Sequence, residues 1–64
     1  MPRPLNERQS LEQERAEISA QIAAYQAELD ATPVTNKARR EMREWQTKER
    51  EKRLAEINAR LAKL

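Results

Sequence analysis

The segment Ala31-Thr32-Pro33-Val34-Thr35-Asn36 interrupts two helical runs of a 64-residue chain. Pro33 cannot donate to a helical hydrogen-bond ladder and pushes Thr32 out of the helical region. Thr32 or Thr35 can cap a helix that starts behind the break. The spacing predicts helix 1 over about 6–31, a turn at about 31–35 and helix 2 over about 35–64, all within one module, residues 1–64. Helices joined by so short a connection pack as antiparallel neighbours.

Before the break, Pro2 and Pro4 oppose regular structure, and Asn6 with Gln9 can form a capping box. Leu11, Ile18, Ile22, Tyr25 and Leu29 then recur at the spacings of a narrow coiled-coil seam. Ala16, Ala20, Ala23 and Ala27 lie nearly opposite, as good helix formers on an exposed side. Beyond the break, Val34, Ala38, Met42 and Trp45 share one face. Met42 and Trp45 are therefore expected to complete the hairpin core against Ile22, Tyr25 and Leu29.

Beyond Trp45 that face turns polar at Glu49, Lys52 and Glu56. A second stripe, Leu54, Ile57, Leu61 and Leu64, is rotated by roughly 125°. In a hairpin closing near residue 33, Leu54 comes opposite Leu11, and the rest of the stripe runs alongside Leu5 and the proline-containing start. Helix 1 offers few apolar groups there. The stripe is therefore expected to meet a second copy, giving an all-α, antiparallel two-helix hairpin that pairs into a four-helix bundle as a homodimer.

Charge favours the hairpin over a single rod kinked at Pro33. Residues 7–30 carry six acids against Arg8 and Arg15, net −4, whereas residues 37–53 carry eight basic groups against four acids, net +4. Glu7, Glu14, Gln21 and Glu28 flank the helix 1 seam at heptad spacing. Arg39, Arg43, Arg50 and Arg53 form a stripe that can pair with that flank or contact an external polyanion, either a nucleic acid or an acidic protein. Glu44/Lys48, Glu49/Arg53 and Glu56/Arg60 have the spacing of surface ladders within a helix.

The basic stripe is collinear with Leu54, Ile57 and Leu61. Over residues 36–64 this layout resembles that of basic leucine zippers, which implies presentation of arginines to a DNA groove. The family's arginine nine positions after its asparagine is missing, since Trp45 stands nine after Asn36. The family is therefore not assigned.

Composition sets the remaining limits. Glycine, cysteine and histidine are absent, and 38% of residues are charged at a net charge of +2. That removes glycine-rich phosphate loops and the nucleophilic and metal chemistry of cysteine and histidine, so no enzyme activity, metal or cofactor is expected. Core-forming residues are scarce for a chain of this size, and small chains without disulfide or metal usually gain stability by association. No apolar run is long enough to span a membrane, and the expected setting is cytoplasmic. The functional expectation is an assembly or protein-binding module. A nucleic-acid-binding hairpin and a small phage or mobile-element inhibitor of a host protein are the alternatives.

Overall fold

The computed structural model describes residues 6–64, so the expectations for Leu5 and its neighbouring prolines lie outside the described residues. Two helices, α1 (Glu7–Ala31) and α2 (Lys37–Lys63), pack against each other. Ion pairs join Glu28 to Arg43, Glu14 to Arg53 and Glu7 to Arg60, so the partner's number rises as that of α1 falls. This is an antiparallel hairpin. Its longest dimension is 49 Å, well short of the roughly 87 Å that an unbroken helix over the described residues would reach.

At the start of α1, the Gln9 N–H donates to the Asn6 side-chain oxygen at 2.8 Å, and the Asn6 N–H donates to Gln9 Oε1 at 3.2 Å. This reciprocal capping box satisfies two amides that have no partner within the helix. At the other end, Thr32 is extended and its hydroxyl donates back to the Glu28 carbonyl at 2.6 Å. Thr32 therefore closes α1, and neither Thr32 nor Thr35 caps α2. Asn36 holds that position without a side-chain cap bond.

The last turn of α1 contains no basic residue to offset the partial negative charge of its exposed carbonyls. Arg40 supplies the cation from α2. Its guanidinium donates from Nη1 to the carbonyls of Leu29 at 2.8 Å and Thr32 at 2.9 Å. The turn is thus tied at both edges, with the Asn36 N–H also donating to the Pro33 carbonyl at 3.0 Å.

Among the described residues, the core proper is Ile18 and Ile57, flanked by the half-buried Leu11, Ile22, Tyr25, Leu29, Leu54 and Leu61. The α1 seam is the expected one, but the α2 seam is not. Trp45 remains 63% exposed and Met42 58%, whereas Ile57 is 1% exposed. Met42 and Trp45 point away from α1, and Leu54, Ile57 and Leu61 lie between the helices rather than on a free surface. Leu64, at the open end, is 44% exposed.

The inward face of α2 follows the heptad row Arg40-Thr47-Leu54-Leu61 with Arg43 and Ile57 beside it, while Arg50 and Leu64, in line with Arg43 and Ile57, are exposed. That row runs the length of the helix, whereas Val34-Ala38-Met42-Trp45 ends after three turns. A helix can turn only one side toward a single partner. The long side wins because its basic half can pair with the acidic flank of α1 while its apolar half covers the seam. Thr47 is buried in the middle, and its hydroxyl is satisfied by the Arg43 carbonyl at 2.8 Å.

Candidate functional site

The basic stripe divides into arginines used by the fold and arginines left outside it. Arg43 Nε lies 2.6 Å from Glu28 Oε2, and Arg43 Nη1 donates to Gln46 Oε1 at 2.6 Å. Its guanidinium carbon also lies 5.2 Å from the centre of the Tyr25 ring, a cation–π contact. The paired Glu28 oxygen is buried and accepts no aligned hydrogen bond. That contact is Coulombic rather than directional.

Arg53 grips Glu14 with both arms of its fork, Nε to Oε2 at 2.7 Å and Nη2 to Oε1 at 3.0 Å. Its Nη1 also reaches Glu56 at 3.3 Å. These hydrogen bonds from Arg53 hold the Glu14 carboxyl below its ordinary range, and Glu14 in turn raises the Arg53 pKa. Arg60 donates from Nε to Glu7 at 2.6 Å, and that hydrogen bond raises its pKa as well.

Two rungs of the expected acid–arginine ladder are therefore present, Glu14 with Arg53 and Glu28 with Arg43, and Glu7 is paired with an arginine outside the expected stripe, Arg60. Of the pairs expected within α2, Glu44/Lys48 is not formed and the other two are replaced. Arg60 crosses to α1 instead of joining Glu56, Arg53 joins Glu56 instead of Glu49, and Lys52 takes Glu49 at 3.2 Å. Arg60 and Arg40 were not among the expected functional arginines. Their signal was the heptad row carrying Arg40, and the position of Arg60 opposite Glu7 in a hairpin closed at Pro33.

Arg39 and Arg50 are exposed and make no ion pair among the described residues. Arg50 borders a shallow cleft with Trp45, Gln46 and Glu49. Arg39 borders a second one with Glu28, Ala31, Thr32, Pro33 and Asn36 at the tip. On another side of the hairpin lies the outward face of Val34, Ala38, Met42 and Trp45, of which Val34 is 76% exposed. This is the one place among the described residues where large apolar side chains adjoin on the surface. Leu64, the remaining exposed large apolar residue, stands apart at the far end.

Among the described residues no group of acids is placed to hold a metal ion, and no helix is long and apolar enough to cross a membrane. The fold and surface define a small all-α protein of two paired helices with an apolar patch on one of them. Comparison with family models, curated proteins and solved structures finds no match for the chain.

Proposed function

We infer that the chain is a non-enzymatic helical-hairpin binding module whose working surface is the outward face of Val34, Ala38, Met42 and Trp45. The carrying observation is Trp45, the single tryptophan, held 63% exposed beside an exposed Met42. Tryptophan offers the largest apolar area of any side chain and is enriched at the centres of protein interfaces. In a chain so short of core residues, leaving it outside makes sense when another surface covers it. Assembly into a larger bundle belongs to the same reading, with the contact moved from Leu54, Ile57 and Leu61 to the tryptophan face.

The nucleic-acid alternative is weaker. Of its four arginines, Arg43 and Arg53 are engaged with Glu28 and Glu14, which leaves Arg39 and Arg50. A benzophenone side chain placed at position 52, exposed one heptad beyond Trp45, tests the binding reading in cells that make the protein. Irradiation should give a protein adduct, to a second copy or to another chain, that disappears with Trp45→Ala. Absence of any adduct, or one that survives that substitution, overturns the reading.

A further inference from the structure

Ala38, Met42, Trp45 and Glu49 are spaced four, three and four residues apart, which is the period of a coiled-coil seam. The residues beside this seam are charged in a particular order. Glu41 and Lys48 lie along one edge, and Arg39 lies on the other, roughly 80° around the helix from Glu49, which stands in the seam itself.

We propose that the surface covering this face is a second copy of the chain, α2 packed antiparallel on α2 about a twofold axis near residue 44, with Met42 of each copy against Trp45 of the other. The proposal rests on the binding-module reading above and names its partner. Antiparallel seams pair residues whose numbers have a constant sum, here about 87, so Ala38 faces Glu49 where Met42 faces Trp45. In that register Glu41 comes beside Lys48 of the other copy, and Arg39 comes within reach of Glu49 of the other copy. The twofold axis makes every one of these contacts twice. Ala38, one turn from Met42, leaves the room an indole needs.

The opposite orientation fails on charge. Parallel helices in register bring Lys48 beside Arg53 of the other copy and leave Glu41 against Gln46. A polyanion fits poorly as well, because Glu41 shares an edge with Lys48 and Glu49 stands in the seam itself. The face is complementary to itself, and that favours an identical partner over an unrelated one.

The seam lies roughly 140° around α2 from the inward seam of Leu54 and Leu61. Two hairpins joined through it form a shallow row, α1 to α2 to α2 to α1, in which the two α1 helices do not touch. This differs from a closed four-helix bundle. A contact three to four turns long lies at or below the low end of the ~1,200–2,000 Å² typical of stable interfaces, so the dimer is expected to dissociate on dilution.

Sedimentation equilibrium of the full chain from micromolar to millimolar concentration is the test, with Trp45 emission as a second readout. The expected result is a reversible monomer–dimer equilibrium in which the emission shifts to the blue as the dimer forms. Trp45→Ala should raise the dissociation constant at least about tenfold without changing helix content. Glu41→Lys or Lys48→Glu alone should weaken the dimer severalfold, and the two together should restore it to within about twofold. A chain that stays monomeric at millimolar concentration overturns the proposal. So does a dimer indifferent to Trp45→Ala, or a double variant that does not recover. If the chain is monomeric but the position-52 adduct joins a different protein and needs Trp45, self-pairing falls and the binding-module reading stands. If a 20-nucleotide RNA shifts Trp45 emission and no protein adduct forms, both fall.

Discussion

Ile57 and Trp45 stand just over three turns apart on α2 and have opposite surroundings, one 1% exposed and the other 63%. Burial assigns them different tasks. Ile57 is the most completely buried apolar side chain among the described residues, and truncating such a group loses its transfer free energy and leaves a cavity. Ile57→Ala should therefore cost about 2–5 kcal/mol, enough to unfold most of a hairpin this small at 25 °C. Trp45→Ala, measured at a concentration where the native chain is monomeric, should stay within about 0.5 kcal/mol of the native stability. Urea unfolding followed by circular dichroism compares the two. A loss for Trp45→Ala as large as that for Ile57→Ala would mean that the tryptophan packs inside the hairpin. Arg40 shows how one side chain can serve two elements: placed in the second turn of α2, it finishes α1 by taking the carbonyls of Leu29 and Thr32.

At the scale of the helices, the ion-pair ladder sets which side of α2 faces inward. Glu14 contributes to stability with a definite sign. Its folded pKa lies below its ordinary 4.5 because Arg53 hydrogen-bonds the charged form. Its contribution is therefore complete above that ordinary value and is lost as pH falls through the lower, folded one. Acid titration of the hairpin by circular dichroism should show destabilisation starting below about pH 5, and Glu14→Gln should flatten that slope while leaving stability near pH 7 less dependent on salt. Equal slopes for the two proteins would mean that the Arg53 fork is open in solution. The hairpin and the acidic flank were legible in the sequence because both depend on local signals: Pro33 breaks the helical hydrogen-bond ladder, and Glu7, Glu14, Gln21 and Glu28 repeat every seven residues. The inward face of α2 was not. Met42 and Trp45 carry more apolar area than Arg43 and Thr47, yet an arginine can lay its stem along a seam and pair its head at the edge, and a threonine can return its hydroxyl to the helix. Fixing the face by Trp45 also displaced Leu54, Ile57 and Leu61 outward, so one choice moved both the core and the interface. Reading the row Arg40-Thr47-Leu54-Leu61 as continuous, with Arg43 and Ile57 beside it, would have found it.

At the scale of the molecule, the hairpin has one inner seam and one outer patch, and folding uses only the first. A body of 49 by 27 by 14 Å keeps nearly every residue within reach of water, so its stability rests on few contacts and is open to reinforcement from outside. A partner that binds only the folded hairpin stabilises it by mass action, and a partner that is a second copy makes that stabilisation depend on the protein's own concentration. The melting temperature should therefore rise as the chain is concentrated from about 5 μM to about 500 μM, by several degrees if the dissociation constant falls inside that interval. Trp45→Ala should remove the dependence and melt at the temperature of the dilute native protein. Ile57→Val should lower both ends of the curve while keeping its slope, because it weakens the inner seam and leaves the patch intact. A melting temperature that stays flat with concentration in the native chain would place the hairpin's reinforcement in a different molecule, and a slope that persists in Trp45→Ala would place the contact on another face.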